Sequence, residues 1–139
     1  MSDAFSGVGA QFKRGDGASA EAFIALTEVN SIQGPNKTRD TIDVTSLDST
    51  DGYREFIAGF RDGGEVVLNM NFTRVGFDTL NDDFESNDSV NYQIVLPDTG
   101  GTIFDLTGYV TNVAMAIPMD DKVTMDITIK ITGPVTLTT

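Results

Sequence analysis

Val123-Thr124-Met125-Asp126-Ile127-Thr128-Ile129-Lys130-Ile131-Thr132 alternates apolar and polar side chains without a slip. In an extended chain successive side chains leave opposite faces of the backbone. Val123, Met125, Ile127, Ile129 and Ile131 therefore share one face, and the polar residues share the other. A period of two points to a half-buried antiparallel strand, which sets the fold class. Gly133-Pro134 ends it, because proline cannot donate to the ladder.

Working upstream, Pro118-Met119-Asp120-Asp121 is a turn, and before it Ile103–Ile117 is a long strand with a phase break. Phe104, Leu106 and Val110 fall on even positions, whereas Val113, Met115 and Ile117 fall on odd ones. One extra residue restores a common face, so a β-bulge is expected near Thr111-Asn112. Val90, Tyr92, Ile94 and Leu96 mark another strand, closed by the turn Pro97–Gly101. Glu65–Thr73 turns Val66, Leu68, Met70 and Phe72 one way. Phe77, Leu80 and Phe84 follow at helical spacing among acids and amides, and Ser86-Asn87-Asp88 closes them. This is a short amphipathic helix whose apolar stripe should cap a sheet. Glu21–Gln33 reads as one strand of irregular phase, stopped by Gly34-Pro35-Asn36. Six or seven strands, one helix and short turns make a mainly β, antiparallel sandwich or barrel with a flanking helix.

The expected organisation is a flexible N-terminal arm at 1–20, a single β-sandwich domain at 21–133 and a C-terminal tail at 134–139. The arm is rich in Gly, Ser, Ala and Asp, with Phe5 and Phe12 its only large apolar residues. It reads either as a frayed terminus or as an arm that orders on a neighbouring subunit through those two rings. A projecting loop interrupts the domain at about 42–65. There Ile42 and Val44 start as a strand, Ser46–Gly52 is polar, Tyr53–Phe60 returns, and Arg61-Asp62-Gly63-Gly64 turns tightly into Glu65. A segment this long usually has work away from the core.

The residue inventory argues against catalysis. The 139-residue chain has no Cys and no His, which removes thiolate and imidazole chemistry and the commonest transition-metal ligands. The net charge is −12, so the surface should repel nucleic acid. Lys13-Arg14, Lys37 with Arg39, Arg54, Arg61 and Arg74 are scattered, with no basic patch expected. No run approaches the ~20 apolar residues of a membrane helix, and no signal-peptide core opens the chain. Asp48-Ser49-Thr50-Asp51-Gly52 places oxygen side chains near a glycine, but lacks the ligand spacing and closing Glu of an EF-hand. It reads first as a solvated turn, and second as the loop of a small calcium- or glycan-dependent binding module. Gly7-Val8-Gly9 and Asp62-Gly63-Gly64 lack the Lys-Ser/Thr of a phosphate loop, and Gly63-Gly64 reads as a turn of positive φ. No enzyme activity, cofactor or metal is expected. What is left for the 42–65 stretch is assembly, with Ser46, Leu47, Asp48, Ser49, Thr50, Asp51, Gly52, Tyr53, Arg54, Phe56 and Arg61 as candidate interface residues beside Phe5 and Phe12.

Several of these residues also carry a resemblance. Phe12 and Gly15–Gly17, then Ile42–Ser49, Tyr53–Ile57, Gly59, Asp62–Glu65 and Asn71-Phe72 resemble, in that order, the major tail tube protein of long, non-contractile-tailed bacteriophages, the lambda-like tail tube family. The similarity covers roughly residues 12–132. It implies a fold like that of the type VI secretion tube, and rings of six subunits stacked head to tail into a hollow tube. DNA would pass through without specific binding. The implied partners are further copies of the chain, the tape-measure protein, the tail initiator or distal tail protein, and the terminator. The implied location is the virion tail, after synthesis in the bacterial cytoplasm. An acidic lumen suits the charge, since a polyanion slides past it without sticking.

Overall fold

The computed structural model of the chain describes residues 4–17 and 21–138. Of the expected arm and tail, residues 1–3, 18–20 and 139 lie outside the described residues. The strands are β1 (Gln11–Gly15), β2 (Phe23–Ala25), β3 (Val29–Gln33), β4 (Thr38–Asp43), β5 (Phe56–Asp62), β6 (Glu65–Asn71), β7 (Val90–Val95), β8 (Ile103–Ala116), β9 (Thr124–Ile131) and β10 (Thr136–Thr138), with one helix, α1 (Arg74–Glu85).

Eight strands form one antiparallel sheet in the order β2-β1-β7-β8-β9-β6-β3, with β10 alongside β8; β4 and β5 pair only with each other. The two ends of that order are neighbours in sequence, since only Leu26–Glu28 separates β2 from β3. Four residue steps reach roughly 14 Å at most, whereas seven strands laid flat would set their edges about 29 Å apart. The sheet must therefore curl until its edges approach, enclosing the core as a flattened barrel. Glu28, in the connection, takes a positive φ of 59° to turn the corner. The single strand expected over Glu21–Gln33 is thus two strands on opposite edges, which explains its irregular phase.

The core is the inward face of the strands. Val66, Leu68 and Met70 of β6, Tyr92 and Ile94 of β7, and Met125, Ile127, Ile129 and Ile131 of β9 are buried, as the alternation predicts. Phe72, expected to join them, is 38% exposed, with its ring centroid 5.9 Å from that of Phe77 and the planes tilted by 46°. The register between β8 and β9 shifts between Val110 and Asn112, where the phase break places a bulge. Helix α1 starts at Thr73, whose hydroxyl accepts the Gly76 N–H at 3.0 Å, a cap worth about 1 kcal/mol. Its Leu80 is fully buried and Phe77 packs on the core, whereas Phe84, expected on the same stripe, is 43% exposed.

Two boundaries differ from expectation. Phe12 and β1 belong to the body: the strand pairs with both β2 and β7, and Phe12 is fully buried with its ring 5.4 Å from that of Tyr92. The Phe12 side chain is therefore a core residue of its own chain and is not free to anchor a neighbour. A lone Phe in a Gly-rich stretch has no periodicity to reveal this. At the other terminus, Thr136–Thr138 adds strand β10 to β8, where a plain tail was expected.

An ion pair fastens β1 to the helix. Arg14 donates from Nε and Nη2 to both Asp83 oxygens at 2.7 and 2.6 Å, and the Tyr92 hydroxyl donates to the same carboxylate at 2.8 Å. Asp83 is 3% exposed. Burial, and then the adjacent carboxylate, push the Tyr92 phenol far above its ordinary range, so it stays a donor. The hydrogen bond to Asp83 also raises the Arg14 guanidinium, against the opposing effect of burial.

Candidate assembly interface

β3 and β6 are antiparallel neighbours. Such a pair can be joined by two to five residues, yet here the connection runs from residue 34 to 64 and builds its own two-stranded sheet, β4–β5. The hairpin is longer than the sequence reading supposed. Its first strand opens at Thr38, upstream of the expected start at about residue 42, and β5 runs through Asp62, so that only Gly63-Gly64 turns. Gly64 has φ +79°, and a Cβ there would collide with the Asn36 carbonyl oxygen. The root of the hairpin thus closes on a position only glycine fills.

The hairpin exposes apolar side chains on both faces. Ile42 and Ile57 are directly opposed and stand 51% and 53% exposed. Phe56, opposite Asp43 on the other face, is also exposed. Tyr53 and Phe60 are more exposed still, and Leu47 at the tip is fully so. Nothing else in the described chain covers this surface.

The tip is nonetheless built, not slack. The Ser49 hydroxyl donates to Glu55 at 2.8 Å, the Ser46 N–H donates to the Ser49 hydroxyl at 2.9 Å, and the Glu55 N–H donates to the Thr45 hydroxyl at 2.7 Å. The Asp48 N–H donates to the Ser46 hydroxyl at 3.3 Å. Thr50–Gly52 forms a single 3-10 turn, with Asp51 at φ 54° and Gly52 at φ 73°. Arg54 pairs with Asp43 at 3.0 Å. The Thr45 hydroxyl and backbone N–H, followed by Arg54, hold the Asp43 carboxyl below the usual carboxylate range. At the root, the Gly64 N–H and then Lys130 do the same for Asp62.

Ser46, Leu47, Asp48, Ser49, Thr50, Asp51, Gly52, Tyr53, Arg54 and Phe56 therefore gather on one hairpin, and Arg61 stands at its root. Phe5 is exposed on the N-terminal segment, outside any strand, and Phe12 is in the core. Sequence reasoning missed Ile57 and Phe60 as exposed surface. Their apolar spacing looked like that of any strand, and only the absence of a covering layer distinguishes them. It also missed a basic patch. Lys37, Arg39 and Arg61 converge, with Phe60, Pro134 and Val135, on a groove of about 580 Å³ at the hairpin root.

Among the described residues, no group of three or more Asp, Glu, His or Cys side chains is placed to hold a metal ion. No helix among them is long and apolar enough to cross a membrane.

A family model described as Lambda phage tail tube protein, TTP, matches residues 4–138. No curated protein sequence matches the chain. Among solved structures, the tail of an empty gene transfer agent particle with C6 symmetry is similar over 98% of this chain and 100% of its own, with a TM-score of 0.81 at 21% identity. The sheath/tube terminator of an extracellular contractile injection system is similar over 100% and 99%, with a TM-score of 0.74 at 14% identity. The SPP1 tail tube is similar over 92% of this chain and 75% of its own, with a TM-score of 0.67 at 10% identity. At such identities these likenesses establish the fold, a curled antiparallel β-sheet with one helix.

Proposed function

This chain belongs to the lambda phage tail tube protein family, and from that premise we propose that it forms hexameric rings stacked head to tail into a hollow tube that conducts DNA into the host. As a family member it is a structural protein of the phage virion tail and not an enzyme, and it works within an assembly of tail components.

The observation that carries the proposal is the β4–β5 hairpin. It is a structured element, apolar on both faces, that its own fold leaves uncovered. Leaving Ile42, Ile57, Phe56 and Phe60 in water is unfavourable at about 25 cal/mol per Å² of apolar surface. A contiguous exposed apolar surface of this kind marks an interaction site. A hairpin that docks on a different surface of the next copy makes a heterologous contact, which generates closed rings or open-ended stacks. A tube requires both.

In this reading the tape-measure protein occupies the lumen during assembly, the tail initiator or distal tail protein starts the stack, and the terminator closes it. DNA passes without specific binding, in keeping with a net charge of −12. Electron microscopy of the concentrated protein, with tail initiator present, tests this. Stacked sixfold rings with an open lumen are expected. A protein that remains monomeric under all such conditions and is missing from virions contradicts it.

A further inference from the structure

The cations of this acidic chain are not evenly spread, and the hairpin root holds a concentration of them. Lys37, Arg39 and Arg61 are exposed and line one groove. Arg39 and Arg61 are direct cross-strand partners, and like charges so placed destabilise a strand pair. No side chain of the three makes a hydrogen bond or ion pair to any described residue. Asp62, the one carboxylate in the groove, is taken by the Gly64 N–H and by Lys130.

A patch of opposite sign is likewise self-repelling, although Asp82 also lies in the field of Arg14. Asp78, Asp82 and Glu85 are exposed along one stripe of α1 at i, i+4 and i+7. Like charges at that spacing destabilise a helix. The last turn carries no basic residue, so Asp82 and Glu85 also face the negative end of the helix macrodipole. Arg74, four residues before Asp78, forms no ion pair with any described residue. Val75, on the same side, is an exposed apolar residue.

We propose that these two patches are the halves of one contact between copies: the acidic stripe of α1 docks on the Lys37–Arg39–Arg61 groove of the neighbouring subunit. Each patch relieves the repulsion within the other, and Phe60 and Val75 supply apolar area beside the charges. The patches are different surfaces, so the contact is heterologous. It deepens the tube reading and rests on it. DNA is the other polyanion such a groove could take, but three cations on a chain of net charge −12 make a weak phosphate site.

Charge inversion tests this. Arg39→Glu with Arg61→Glu, and separately Asp78→Lys with Asp82→Lys, should each raise the protein concentration needed for assembly about tenfold, by loss of electrostatic complementarity. Both inversions on one chain should bring it back to within about threefold of native, with melting temperatures within a few degrees of native throughout. Assembly that survives either inversion, combined inversion that rescues nothing, or rescue by Asp120→Lys with Asp121→Lys instead would each overturn the proposal. So would native protein that binds duplex DNA and loses it on groove inversion. The chain has no cysteine of its own, so Arg61→Cys with Asp82→Cys gives an independent readout. An inter-chain disulfide ladder under assembly conditions is expected, and monomer alone would contradict the contact. If the native chain forms no rings at all, the tube reading fails first, and the contact with it.

Discussion

Leu68 opposite Ile127 and Ile42 opposite Ile57 are the same kind of cross-strand aliphatic pair. The first pair is fully buried and the second is about half exposed on both strands. The difference lies in what stands over each pair. In the body, the sheet curls back and α1 closes over it, so an inward face exists. In the hairpin there are two strands and, among the described residues, no second layer. Alternation in a sequence reports that a strand wants one face covered. It does not say whether the cover comes from the same chain.

Ile127→Asp breaks the comparison on the body side. It places a carboxylate where the fold supplies neither water nor a partner, and should cost about 4 kcal/mol or more. Denaturant unfolding should show little native protein, and a cooperative transition near that of the native chain would mean the strand faces are misassigned. Asp83→Asn sharpens the body further. It leaves Arg14 without its counter-charge and should cost about 3 kcal/mol, while Tyr92→Phe, losing one hydrogen bond, should cost about 1 kcal/mol. Equal effects of the two would contradict the primacy of the Arg14–Asp83 pair.

The smallest expected effect lies in the hairpin. Asp43 and Asp62 both have carboxyl groups held below their ordinary value of 3.8. A carboxyl depressed in the folded state contributes stability that is complete above its unfolded value and is lost as pH falls through the folded one. The Thr45 and Gly64 amide signals should therefore shift with midpoints below pH 3.8. Midpoints above it would remove the hydrogen bonds that brace the hairpin.

Much of the body was legible because its elements obey local periods. The strict alternation of β9, the phase break at Thr111-Asn112 and the 77-80-84 spacing of α1 each follow from the geometry of one element. Other features have no local signal. Arg14 and Asp83 stand 69 residues apart, Phe12 sits in a stretch too short and Gly-rich to show a period, and β2 and β3 separate only because the sheet closes. The hairpin was legible as a long connection with polar loop residues. That its aliphatic residues stay uncovered, and that Lys37, Arg39 and Arg61 meet, depends on pairing and layering that sequence spacing does not encode.

On the proposed assembly, the body folds on its own while the hairpin is covered by another copy. The most direct test is a single variant, Ile42→Asp with Ile57→Asp, followed by thermal unfolding and electron microscopy side by side. A melting temperature within a few degrees of native is expected, as for surface substitutions, together with loss of rings and tubes. Tubes that form normally, or a chain that no longer folds, would contradict it.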